Sequence, residues 1–242
     1  LIKYNLQMST NKNIDDIDEK MTEETKQKVV VFCIPGKSFT SRFLVGWSEL
    51  LLQCLVNNYR PILCQENDRN IFIQRNKCLG GNILEGSKDQ KPFRGQLEYD
   101  YIVWIDPNVI FTFKDLQKLL NSNYDVTSGV YTLNPVNNIT NVVKELDYKF
   151  YKENGTFKFL SKEEIIKMDK IDNRYFEADF VDLGWTCIKK GISEKIEYPW
   201  FSVDDEEDVA LFTDCYSYCK KLKKNGVKIM IDSSIMLDYS EV

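Results

Sequence analysis

The chain has 242 residues, 32 Lys plus Arg against 37 Asp plus Glu, and a formal net charge of −5. With 43% hydrophobic and 29% charged residues it can bury a full core, and wholesale disorder is excluded. The acidic balance argues against nucleic-acid binding, which needs a basic surplus. The absence of histidine removes Ser-His-Asp, Cys-His and HExxH zinc chemistry.

Residues 1–28 are polar and acidic and read as a flexible N-terminal arm, leaving 29–242 as one folded domain. Leu1 at the start reads as a cloning remnant or an excised fragment, with Met8 as a natural start. From Val29 an unbroken apolar run closed by Pro35-Gly36 predicts a strand buried on both faces. Phe43, Leu44, Trp47, Leu50, Leu51, Cys54 and Leu55 follow at helical spacing. Residues 59–64 predict a second strand, and 71–81 a short helix ending at Gly80-Gly81. The stretch 82–98 is a loop by composition, long enough for a functional flap.

Residues 99–105 predict another buried strand running into Asp106-Pro107-Asn108. A helix at 111–120 and a strand at 124–131 come next. Residues 134–176 read as irregular apart from a short helix at SKEEIIKM. Two short strands flank Gly184-Trp185, then a helix is expected over 207–224 and a last strand over 227–232. Strands alternating with helices predict an α/β fold with a mostly parallel sheet.

Five of the seven cysteines sit in apolar runs, where free Cys behaves as a small hydrophobe. No CxxC pair supports a zinc site, and the odd count favours a reducing compartment, so a cytoplasmic location is expected. No apolar stretch reaches the ~18 residues needed to cross a bilayer.

In open α/β sheets ligands bind at the carboxyl ends of the strands. Three tips therefore draw notice. Pro35-Gly36 lets the backbone approach a flat ligand, although it also reads as an ordinary turn. Asp106, with Asn108 two residues on, is a weak oxygen pair for a hard divalent cation, and equally a plain Asx-Pro turn. The five acids at 204–208 suit a helix N-terminus, yet their crowding also raises proton affinity, which suits a general base in a histidine-free chain. Arg75 is the best phosphate-binding cation, and otherwise reads as an exposed helix-end Arg; Trp185 and Trp200 offer ring faces of the kind that pack on sugars, although each taken singly reads first as a core aromatic.

In order, CIPGKSF (33–39), RNKCL (75–79), KPFRGQLEYDYIVWIDPNVIF (91–111), DVTSGVY (125–131), DFVDLGWTCIKKG (179–191), YPWF (198–201), EEDVALF (206–212) and GVKIMID (226–232) resemble a GT-A-fold glycosyltransferase of the small type found in large DNA viruses and phages. The resemblance implies a Rossmann-like, mixed, mostly parallel sheet flanked by helices in a single domain, and transfer of a sugar from a nucleotide-sugar to a hydroxyl on a glycan or protein-linked acceptor. It puts the donor against Pro35, Gly36, Arg75, Asp106 and Asn108, and the acceptor and sugar pocket at Gly184, Trp185, Asp179 and Trp200. Asp208, with Glu207 second, matches the general base of inverting members.

Asn108 replaces the second carboxylate of the family's Asp-x-Asp motif, and Asp238-Tyr239 stands where many members supply a histidine. A Mn²⁺ or Mg²⁺ ion would then be held weakly, by Asp106, Asn108 and Asp238. A non-catalytic nucleotide-sugar or glycan-binding module is the alternative. A nucleotidyltransferase would want a Gly-rich basic loop, and IPGKSF has one Gly and one Lys.

Overall fold

A computed structural model describes residues 27–240 apart from 87, 135, 137, 172–173 and 204–213. The expected N-terminal arm lies outside the described residues up to 26, and Lys28 already belongs to the first strand. That strand, β1 (Lys28–Pro35), is buried from Val30 to Pro35. Its side chains alternate between two cores, as an extended chain requires. Val31 and Cys33 face one core, Val30, Phe32 and Ile34 the other.

Helix α1 (Ser41–Val56) starts where the Thr40 side chain accepts the Phe43 N–H, and it turns Phe43, Leu50 and Cys54 inward. Strand β2 (Tyr59–Glu66) returns parallel to β1, completing a βαβ unit. Helix α2 (Ile71–Cys78) is capped by Asn70 and buries Gln74, Arg75 and Asn76, an unusually polar set. Strand β3 (Tyr101–Ile105) pairs parallel to β1, and the two-residue β4 (Val109–Ile110) leads into α3 (Phe113–Leu120) through a Thr112–Asp115 capping box.

Strand β5 (Val126–Asn134) is followed by the short strands β6 (Ile139–Thr140) and β7 (Val142–Val143). The stretch expected to be irregular holds two helices, α4 (Tyr148–Asn154) and α5 (Lys162–Ile171). Helix α4 is one the sequence pattern missed: it spans seven residues, too short for a clear period, between an Asp147 cap and Gly155 at φ 71°. Strands β8 (Tyr175–Ala178), β9 (Phe180–Val181) and β10 (Trp185–Lys189) precede α6 (Asp214–Lys224) and the final strand β11 (Ile229–Tyr239).

The main sheet runs β2–β1–β3–β10–β5–β11–β4, with β6 on β5 and β8 on β11. Strands β2, β1, β3, β5 and β11 point one way, and β10 lies antiparallel between β3 and β5. The result is one α/β domain, a mixed, mostly parallel, Rossmann-like sheet with α1 and α3 over one face and α2 and α6 over the other. Because β10 is reversed, its first residue lies at the carboxyl edge of its neighbours. Trp185 pairs with Ile105, so the segment before β10 meets the segment after β3.

The last strand is longer than its pattern suggested. The expected strand ends at Asp232, yet β11 continues through Ser233-Ser234 to Tyr239 with a register shift between Ile231 and Met236. Arg174 makes this tolerable by gripping the buried Asp232 carboxylate with two hydrogen bonds, at 2.8 and 2.5 Å. A polar group that would stop a buried strand is thereby satisfied.

Candidate functional site

The carboxyl edge gathers residues from five elements around Arg75. On the last turn of α2, the guanidinium lies over the rings of Trp104 and Phe201, 5.3 and 5.8 Å from their centroids. Asn76 fixes Phe201 there, donating to its carbonyl at 2.7 Å and accepting its N–H at 3.3 Å. The Arg75 side chain is 4% exposed. Its Nε pairs with Asp214 in the first turn of α6, and Nη2 lies 3.4 Å from Asp106 Oδ1 and 3.9 Å from Asp182 Oδ1. Burial opposes its charge, but the carboxylates of Asp214, Asp106 and Asp182 help to hold the guanidinium protonated.

Asp106 follows β3 directly, and its N–H donates to the Gly184 carbonyl at 2.9 Å. Burial, and then the charge of Asp182, push its carboxyl up to about 7, against the pull of Arg75. A carboxylate that titrates near neutrality is suited to proton transfer. Asp182 is positioned from two sides: Tyr131 donates its hydroxyl to Oδ2 at 3.0 Å, and the Cys215 thiol donates to Oδ1 at 3.1 Å. The same Tyr131 hydroxyl accepts the Gly184 N–H at 3.1 Å. Tyr131 in turn stacks on Tyr239, 5.6 Å between centroids and 7° between planes.

Several expected residues do come together. Pro35 ends β1, and Gly36 abuts the neighbouring strand tip so closely that a Cβ on it would lie 2.9 Å from Pro107 Cγ. Arg75, Asp106 and Gly184 share the cluster just described. Asn108 borders it, donating from Nδ2 to the Tyr239 hydroxyl at 3.2 Å. Among the described residues Arg75 Nη1 and Asn108 Oδ1 are both buried without a partner, one donor and one acceptor. Buried groups of this kind need a polar ligand or water to be satisfied.

Others do not. Trp185 and Trp200 are fully buried: Trp185 stacks on Phe111, and Trp200 packs edge-on against Tyr198. Both lie inside the layers, so neither ring offers a face to a sugar. Asp179 accepts the Leu146 N–H at 2.9 Å and pairs with Lys223. Lys223 is near the far end of α6, about 13 Å along its axis from Asp214, so Asp179 pins a helix rather than lining the cluster. Asp238 is exposed, and its neighbour Tyr239 is the residue that reaches Asn108. The expected base Asp208, and Glu207, lie outside the described residues.

Among the described residues the expected donor set, Asp106, Asn108 and Asp238, does not fit a divalent ion. Asp106 Oδ1 faces Arg75, Asn108 is a neutral amide, and Asp238 is exposed on β11; among the described residues no three carboxylates or thiols are placed to hold a metal. Sequence reasoning missed Asp182, Asp214, Tyr131 and Tyr239. The rule that singled out Asp106, a carboxylate directly after a buried strand, applies equally to Asp182 after β9.

A cavity of about 420 Å³ opens beyond Asn76, lined by Phe72, Ile73, Tyr198, Phe201 and Val203 among others. It shares the Phe201 wall with the cluster but none of its charged residues. No helix among the described residues is long and apolar enough to cross a membrane.

No protein-family model matches the chain, and the curated proteins contain no significant match. Among solved structures the chain is similar to A197 from STIV, at 18% identity over 88% of this chain and 82% of that one, with a TM-score of 0.45.

Proposed function

We propose that the protein is a glycosyltransferase that moves a sugar from a nucleotide-sugar to a hydroxyl acceptor. The observation that carries this reading is convergence: Arg75, Asp106 and Gly184, far apart in the chain, meet at the carboxyl edge of the sheet, with Gly36 and Pro107 in contact at the neighbouring tips. That edge is where α/β sheets hold nucleotides; the family resemblance assigns Gly36, Arg75 and Asp106 to the donor and Gly184 to the acceptor and sugar pocket.

The chemistry asked of them is direct displacement. A carboxylate takes the proton of the acceptor hydroxyl, the oxygen attacks the anomeric carbon, and the diphosphate leaves with its charge met by a cation. Arg75 is the cation in place. Asp208, with Glu207 second, is the proposed base on the strength of the resemblance. Since the donor set does not fit a metal, no step is routed through one.

The test is transfer and slow donor hydrolysis by Asp208→Asn beside wild type, with an acceptor panel. Loss of turnover with donor binding retained supports the reading. Equal rates remove Asp208 from the mechanism. Donor binding without turnover by either protein favours a non-catalytic binding module.

A further inference from the structure

Three carboxylates from three separate places in the chain face one guanidinium: Asp106 after β3, Asp182 before β10 and Asp214 opening α6. Acids gathered this way at a strand edge ordinarily collect a divalent ion, because their mutual repulsion needs a positive centre. Here that centre is part of the chain. Arg75 is buried between two aromatic rings and tied to all three acids, so it is not a side chain that swings aside to admit an ion. Among the described residues its Nη1 has no partner, a buried donor that none of their acceptors takes up. A planar guanidinium is well matched to phosphate oxygens.

We infer that Arg75 is the resident cation of this site, standing among Asp106, Asp182 and Asp214 in the place of a metal, and that a diphosphate is taken up there without a divalent ion. The second half rests on the glycosyltransferase reading; the first does not.

Two arms test the first half without a nucleotide. Mn²⁺ titrated alone into the wild-type chain is expected to show no ion that depends on the cluster. One ion per chain, lost in Asp106→Asn, overturns the inference. Arg75→Ala leaves the acids uncompensated, so its melting temperature is expected to fall and then to recover in millimolar Mg²⁺ or Mn²⁺, while that of wild type stays put. A folded Arg75→Ala indifferent to both ions overturns it. Should that variant fail to fold, Arg75→Lys is expected to fold and stay blind to the ions, and ion-dependent melting there counts against the inference.

The third arm is binding of a nucleoside diphosphate panel in EDTA and in Mn²⁺. Affinities within about twofold of each other support metal-free uptake. Binding only with Mn²⁺ overturns the inference and spares the glycosyltransferase reading. Binding in neither condition overturns that reading and metal-free uptake together, while leaving the two metal arms to decide the role of Arg75.

Discussion

The carbonyl of Gly184 accepts the N–H of Asp106 at 2.9 Å, which locks the turn before β10 to the tip of β3. Gly184 permits this only because it lacks a side chain. A Cβ there would lie 2.8 Å from Asp106 Oδ2 and closer still to the Tyr131 hydroxyl. Gly184→Ala is therefore expected to destabilise the fold by about 1–3 kcal/mol, the usual cost of overpacking. Urea denaturation checks it. An unchanged midpoint would mean that the two strand tips are not packed as described.

Asp106 makes stability depend on pH. Its carboxyl is raised from 3.8 to about 7 by burial and by Asp182, against Arg75, with Asp214 adding to the rise. A raised carboxyl binds its proton more tightly folded than unfolded, so its contribution is complete below about pH 4 and is lost as pH climbs through 7. Asp106→Asn removes the titration and keeps the shape. Relative to wild type, the variant should gain roughly 2–4 kcal/mol between pH 4 and pH 8. A flat difference across that range contradicts the described environment of Asp106.

Tyr131 holds the cluster by one oxygen, which donates to Asp182 and accepts from Gly184. Tyr131→Phe leaves the Gly184 N–H buried with no partner, and the cost expected is about 1–3 kcal/mol. The stacking on Tyr239 survives the change, so the denaturant slope should hold while the midpoint falls.

Seven free cysteines give a direct check on the packing. Six are buried, and Cys64 is the partly exposed one. A hydrogen bond from Cys33 lowers its thiol below the ordinary value, despite burial pulling the other way. Thiolate character and access both favour it. A thiol reagent should label one cysteine quickly in the native protein, and Cys64→Ser should abolish that phase. Two or more fast thiols would contradict the buried placement of the other six.

Most of the sheet was legible because buried strands here are unbroken apolar runs, as at β1 and β3, with no competing period. Where the pattern failed, polar groups were satisfied by distant partners. The last strand was expected to stop at Asp232 because Arg174, 58 positions away, cannot be seen in a local window. Trp185 and Trp200 could be read as core aromatics or as sugar platforms because exposure is a property of the layers and not of the residue; both are core. Asp106 and Arg75 were found from their positions at strand and helix ends, and Gly184 from the family resemblance. Asp214 was hidden because its role comes only from facing Arg75 across 139 positions.

The most direct test of the whole account is a thermal-shift titration of nucleotide-sugars against wild type and Arg75→Lys. A ligand that selects the folded state raises the melting temperature by mass action, about 2.7 kcal/mol of added stability at a hundredfold excess over Kd. At least one donor should raise the wild-type melting temperature, and replacing the forked guanidinium by a single ammonium should remove most of that rise. No response to any donor, or an equal response in both proteins, would contradict it.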